Sequence, residues 1–211
     1  MHPEEMVTSM AVMEVPRIRR PQPAQAPDGL WELFETLDLG ELYRIEFIEG
    51  RIVVSGVPYV WHELVITWMR DQFADARRSR GWGESGHSAL ILETRWTCVL
   101  PDLVVFEDAD RIPRLQSEIP AEHVLLAMEV TSRDSKRVDR EVKPNACAKA
   151  GIPLYLLVDR FTKPVSVTLL SVPGENGYAK AETVPAGPHG GKLHIPAPFE
   201  VTLDTGTLPM P

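Results

Sequence analysis

A seven-residue run, Val124-Leu-Leu-Ala-Met-Glu-Val130, limits what this chain can fold into more than any other segment. It lacks both the alternation of a half-exposed strand and the length of a helix. A short apolar run of this kind fits a strand buried on both faces, as in a sheet covered by other layers on each side. Its one acid, Glu129, then lies among apolar neighbours. A carboxylate there is costly unless it is paired, hydrogen-bonded or bound to a metal. The run therefore predicts a covered sheet and a chemical site within it.

The flanking sequence supplies candidate layers. A short helix is predicted from Asp28 to Leu37, with Asp28 as N-cap and Leu30, Trp31 and Phe34 on one face. Residues Tyr43 to Val54 alternate at period two around Glu49-Gly50, which predicts a β-hairpin turning at Gly50. His62 to Arg80 predicts an amphipathic helix, with Leu64, Val65, Trp68, Met69, Phe73 and Ala76 at helical spacing and Gly81 as its stop. Strand-like pieces follow at Ser88 to Glu93, Trp96 to Leu100 and Leu103 to Phe106. After the Glu129 run, Arg137 to Ala150 predicts a helix ending at Gly151. Leu154 to Val158 predicts a second buried strand and Val165 to Val172 a more exposed one. Leu193 to Leu203 is expected to supply an edge strand. Strand, helix and strand from Val124 to Val158 form a crossover between parallel strands. The fold class is α/β (α+β), a mixed β-sheet flanked by helices.

At 211 residues, one domain is expected over residues 29–205, between an arm at 1–28 and a tail at 206–211. The arm carries Arg17, Arg19 and Arg20 among prolines and shows no periodicity, so it reads as a mobile, solvated tail, with a DNA-contacting basic arm as the alternative. A net charge of −8 argues against a general nucleic-acid coat protein, because backbone affinity comes from Lys and Arg. It does not exclude an enzyme that spends its acids on a metal and its bases on one local patch. Cys98 and Cys147 are too few for a disulfide framework or a four-cysteine zinc site, and read as small buried residues in a reducing compartment. Glu4 and Glu5 and the lack of an apolar core argue against a secretory signal. No apolar run approaches the roughly 20 residues of a membrane helix. A cytoplasmic protein is expected.

Asp102, between Val99-Leu100 and Leu103-Val-Val-Phe106, poses the same question as Glu129. Two acids on neighbouring buried strands can share a Mg²⁺ or Mn²⁺ ion, with water completing the shell. The plain alternative is a salt bridge or a helix cap for each. Lys143 shares a helix face with Asp139, four residues earlier. It either approaches the two acids and stabilises charge developing on a phosphate, or is a solvated lysine in a surface ion pair. Pro144 is awkward inside that helix, because it removes a backbone hydrogen bond. Upstream, Glu46 reads as the inward acid of the hairpin and Glu49 as the turn acid. His62 at a helix start either orients substrate phosphate or is a structural hydrogen-bonding group. Arg77, Arg78, Arg80, Lys136, Arg137 and Arg140 form either a basic groove or a solvated helix face.

Taken together, Arg44-Ile-Glu-Phe-Ile-Glu-Gly50, Gly56-Val-Pro58 with His62, Pro101-Asp102-Leu-Val-Val105, Glu129-Val-Thr-Ser132, Asp139-Arg-Glu-Val-Lys143 and Ala150-Gly-Ile-Pro-Leu-Tyr-Leu-Leu-Val-Asp159 resemble the Uma-type restriction-endonuclease group of the PD-(D/E)XK nuclease superfamily. The resemblance runs from about Leu42 to Leu203. It implies a PD-(D/E)XK core, Asp102 and Glu129 as ligands of Mg²⁺ or Mn²⁺, and Lys143 as catalytic lysine flanked by Glu46 and His62. It further implies nucleic acid, most naturally DNA, as substrate, and a homodimer. Thr131 stands where the superfamily's E-x-K pattern has its lysine, so Lys143 must substitute from the helix. Cys147 replaces a usual tyrosine, and Arg51 a frequent acid. Three readings remain open on these residues: a metal-dependent nuclease, a nuclease-fold module that binds without cutting, and a hydrolase of another phosphate ester.

Overall fold

The computed structural model describes residues 29–40, 43–56, 58–86, 88–92, 97–110, 112, 118–133 and 135–211, without the side chain of residue 91. The expected arm at 1–28, the cap at Asp28, and the outer ends of the Ser88–Glu93 and Trp96–Leu100 strands lie outside these residues.

Helix α1 (Leu30–Thr36) starts after Gly29, whose φ of 79° marks the cap position. Strands β1 (Arg44–Ile48) and β2 (Arg51–Ser55) pair antiparallel, Ile48 opposite Arg51. Glu49 and Gly50 both take left-handed φ, 49° and 73°, as a two-residue turn between twisted strands requires. Helix α2 (Val60–Arg80) begins two residues before the predicted His62 and stops at Gly81, which is left-handed. Its buried face is Trp61, Val65, Ile66, Met69 and Phe73, whereas Leu64 is half exposed.

Strands β3 (Gly83–Ser85), β4 (Leu90–Leu92), β5 (Thr97–Val99) and β6 (Leu103–Phe106) follow, then β7 (Val124–Val130), buried at every position. A π-helical turn (Val138–Val142) leads into α3 (Lys143–Lys149), and β8 (Leu154–Asp159) returns parallel to β7. Strands β9 (Ser166–Gly174) and β10 (Gly177–Pro185) form a long hairpin. The five central residues of β10 are all exposed, so the strand offers no apolar face for its sequence to reveal. Strands β11 (Lys192–Ile195) and β12 (Val201–Asp204) form a separate two-stranded sheet, so Leu193–Leu203 is a hairpin rather than the predicted edge strand. Its apolar residues turn inward on α2, where Phe199 meets Phe73 at 5.0 Å.

The main sheet has six strands in the order β10-β9-β8-β7-β6-β3, and a second sheet runs β2-β1-β5-β4. Only β7 and β8 are parallel within the large sheet, so it is mixed. Period two divides its side chains between layers. Leu126, Met128 and Val130 join α2 and the β11–β12 hairpin in one core. Ala127, Tyr155 and Leu157 join Ile48, Leu90, Leu92 and Val99 of the smaller sheet and Ala146 and Cys147 of α3 in another. Glu129, in phase with Ala127, belongs to this second side. The smaller sheet divides likewise: Phe47 packs on Trp31 and Phe34 of α1, while Ile48 joins the large sheet. Arg44 and Glu46 share the phase of Ile48. Strand alternation thus carries Glu46 and Glu129 toward one interlayer space. Cys98 and Cys147 are both buried, as expected.

The π-turn accommodates Pro144. Lys143 donates its N–H to the Val138 carbonyl, five residues back. The Asp139 carbonyl therefore loses its α-helical donor, and its π-helical donor would be the proline nitrogen, which has no hydrogen. Tyr155 fills the vacancy, its hydroxyl donating to the Asp139 carbonyl at 3.0 Å. Tyr155→Phe is expected to destabilise the protein by about 1–3 kcal/mol through that unsatisfied carbonyl. In a Pro144→Ala background the new N–H can take over, so urea titrations should recover at least half of the loss. Strict additivity of the two substitutions would contradict this account of the turn.

Candidate active site

Asp102, immediately before β6, is buried and heavily hydrogen-bonded. Its Oδ1 accepts from Arg44 Nη1 at 2.6 Å, and its Oδ2 lies 2.9 Å from His62 Nε2 and accepts the Val130 N–H at 2.8 Å. Burial alone would raise this carboxyl. The His62 hydrogen bond and charge, then Arg44 and Lys143, instead hold it well below the ordinary carboxylate range.

Lys143 projects from the first turn of α3 and is 4% exposed, so it is not the solvated lysine that sequence allowed. Its Nζ donates to Glu129 Oε1 at 2.7 Å and lies 3.1 Å from Glu46 Oε1 and 3.7 Å from Asp139 Oδ1. Glu46 also accepts the Leu100 N–H at 2.7 Å, which ties β1 to the segment leading into Asp102. Burial would lower the Lys143 ammonium, but Glu129, Glu46, Asp139 and Asp102 hold it well above its ordinary value. One ammonium does not balance its three neighbouring carboxylates. Burial first, then Asp102, Asp139 and Glu46, push Glu129 well above the usual range despite Lys143.

Asp139 is 1% exposed, not part of a surface pair. It accepts from the Ser135 hydroxyl, while its Oδ1 is buried without a hydrogen bond. Burial pushes its carboxyl up to about 6, with Asp102 and Glu46 adding to the rise. A carboxyl raised from about 3.9 opposes folding by roughly 3 kcal/mol once ionised, and this penalty develops as pH rises through about 6. Asp139→Asn, measured with a chelator present, is therefore expected to stabilise by about 1–3 kcal/mol at pH 7.5. The gain should vanish below pH 4, and a loss of the same size at both pH values would exclude this electrostatic origin.

All five expected site residues, Glu46, His62, Asp102, Glu129 and Lys143, line one cavity of about 820 Å³. Two residues not predicted as site members join them: Arg44 and the buried Asp139. The alternation of β1 was the signal for Arg44, which shares a strand face with Glu46. Thr131, at the missing lysine position, donates to Asp159 Oδ1 at 3.2 Å. Glu49 is exposed at its turn, as expected, with Arg137 Nη2 3.6 Å away.

Four of the six candidate groove cations have local partners. Arg77 lies 3.1 Å from Glu84, Arg78 3.7 Å from Asp75 and Arg140 2.6 Å from Asp159, while Arg80 donates to the Pro198 carbonyl. Those charges are spent locally.

The Uma2 family, described as "Putative restriction endonuclease", matches residues 31–205. The chain belongs to the Uma2 family. A crystal structure from Anabaena variabilis ATCC 29413, described as a putative nuclease belonging to DUF820, matches with a TM-score of 0.65 at 21% identity. The match covers 86% of this Uma2 chain and 97% of that chain, and at this identity it shows a common fold. No curated protein matches. No helix among the described residues of this Uma2 protein is long and apolar enough to cross a membrane.

Whether a metal fits is decided by the donors. Among the described residues, no three His, Cys, Asp or Glu side chains form a ready cage. Yet four buried carboxylates, Glu46, Asp102, Glu129 and Asp139, face the cavity with Lys143 and Arg44 as the permanently charged cations bonded to them. Asp139 also keeps an unbonded buried oxygen. Hard oxygen donors in negative surplus, open to solvent on one side, suit Mg²⁺ or Mn²⁺, which keeps several waters and needs only one or two carboxylates.

Proposed function

We propose that this Uma2 protein is a Mg²⁺- or Mn²⁺-dependent endonuclease that hydrolyses phosphodiester bonds of DNA, with Asp102 and Glu129 holding the ion. The observation that carries the reading is the contact of Lys143 with Glu129 and Glu46 at the floor of an open, acid-rich cavity. A bound divalent ion supplies Lewis acidity and a more acidic water.

The chain's own residues do the rest. Lys143, held protonated by its acidic neighbours, is a fixed positive charge and not a proton acceptor. It stabilises negative charge developing on a phosphoryl oxygen, an effect worth about 10²–10³ in rate for one such group. Glu46 orients Lys143 through its 3.1 Å contact, and His62 orients Asp102 through its 2.9 Å contact. The cavity walls limit water around the floor and strengthen both effects.

Supercoiled plasmid is the direct substrate for a test. Wild type should nick or linearise it with Mg²⁺ or Mn²⁺ and leave it intact with EDTA. Undiminished cutting in EDTA would refute the metal-dependent reading. The net charge of −8 and the placement of Lys143 on α3 instead of at position 131 favour one second reading, a nuclease fold that binds without cutting. Gel retardation without cleavage under every metal condition would establish it.

A further inference from the structure

The mouth of the cavity has a chemistry of its own. Tyr59, immediately before α2, is 74% exposed, and the adjoining Val60 is 77% exposed. Arg160, just beyond β8, reaches the same mouth. Its guanidinium carbon lies 5.6 Å from the Tyr59 ring centre, 5.9 Å from Trp61 and 4.8 Å from Phe161. Its Nε is buried without a hydrogen bond, and among the described residues Arg160 has no carboxylate partner. Arg133 is exposed and lines the same cavity. Lys136 rests 4.0 Å over the Phe161 ring. The other arginines of this region are held by acids or carbonyls, as described above. Among the described residues the cations at the mouth are Arg160 and Arg133, and Arg160, with Lys136 beside it on the Phe161 ring, is mixed with aromatic rings.

This combination selects among nucleic acids. A duplex presents two phosphate strands and hides the faces of its bases, so its binding depends on many Lys and Arg contacts. A chain of net charge −8 whose mouth carries Arg160 and Arg133, with Lys136 nearby, is poorly equipped for that. An unpaired strand offers base faces as well. Stacking one base on an aromatic side chain strengthens binding roughly five- to 150-fold and does not depend on sequence.

Resting on the nuclease reading above, we propose that the site takes single-stranded or locally unpaired polynucleotide. An unpaired base stacks on Tyr59, and the adjoining phosphates pair with Arg160 and Arg133. Tyr59 is a binding residue at the rim, separate from the acid floor.

The test is fluorescence anisotropy in EDTA, where no cleavage complicates binding. The probes are labelled dA12, rA12, a 12-base-pair duplex and an abasic 12-mer carrying the same phosphates. The dA12 or rA12 strand should bind at least tenfold more tightly than the duplex and the abasic strand; the difference between dA12 and rA12 identifies the preferred sugar. Tyr59→Ala should weaken strand binding five- to 30-fold, with Tyr59→Trp retaining it. Arg160→Ala should weaken it and lessen its salt dependence. Thermal melts of each variant verify folding, which the exposure of Tyr59 favours. Equal or tighter duplex binding, equal abasic binding or an unaffected Tyr59→Ala protein would overturn the proposal. Cleavage of the same probes with Mn²⁺ separates the two readings. Cutting of duplex without strand preference leaves the nuclease and removes this inference, whereas strand-selective binding without cutting removes the nuclease and leaves the binding surface.

Discussion

Lys143→Ala should lower cleavage by about 10²–10³-fold and also destabilise the protein by about 3–5 kcal/mol near pH 8. The stability loss follows from the contacts. Nζ is the cation shared by Glu129, Glu46 and Asp139 at 2.7, 3.1 and 3.7 Å, and without it three buried carboxylates face one another. Removing one partner of a buried charge cluster is worse than never having built the cluster, because the remaining charges stay desolvated. The loss should shrink toward pH 5, where the acids take up protons in place of the ammonium. Divalent ions should raise the melting temperature more in Lys143→Ala than in wild type, since the variant has the greater negative surplus. Circular dichroism fixes the folded fraction at each pH, so cleavage rates can be compared per folded molecule. A folded variant that still cuts at the wild-type rate would remove Lys143 from the chemistry.

That lysine also shows where sequence reading reached its limit. The buried β7 run, the β1–β2 turn at Glu49-Gly50 and the stop at Gly81 depend on local patterns, and each could be read directly. The acids Glu129 and Asp102 stood out because apolar neighbours give a carboxylate no cheap environment. Lys143 was ambiguous because its burial depends on a π-turn, and that turn depends on Pro144 and on Tyr155, 12 residues after Lys143. Arg44 was visible only as part of a motif, since its partner Asp102 is 58 positions away. The arginines of α2 show the converse. A row of basic residues looks like a groove in sequence, while the acids that neutralise it, such as Glu84 for Arg77, arrive from other elements. Strand β10 leaves no clear period in the sequence, because its five central residues are exposed on both faces.

Glu129→Gln and Asp102→Asn should both reduce cleavage by about 10³-fold or more, on the scale of losing a principal charge-stabilising element, yet shift stability in opposite directions. Glu129 is held well above the ordinary carboxylate range, so its charge opposes folding. Its favourable contribution is complete only below about pH 4 and is lost as pH rises. Neutralising it leaves Glu46 and Asp139 to balance Lys143 and keeps an oxygen to accept from Nζ. In chelator, Glu129→Gln should therefore be at least as stable as wild type at neutral pH, with its advantage growing as pH rises. Asp102 is held well below the ordinary range, so its charge supports folding above about pH 4, and that support fades as pH falls toward its depressed value. Asparagine would set an NH₂ group against either Arg44 or the donors at Oδ2, and would deprive the partly buried Arg44 of its hydrogen-bonded charge partner, leaving only the more distant Glu129 and Glu46. A loss of about 3–5 kcal/mol at pH 7 is expected, shrinking in acid. Isothermal titration with Mn²⁺ should show weakened binding in both variants. If both instead lost stability equally while retaining Mn²⁺ affinity, the two acids would be one structural ion-pair network, and the proposed metal site would be wrong.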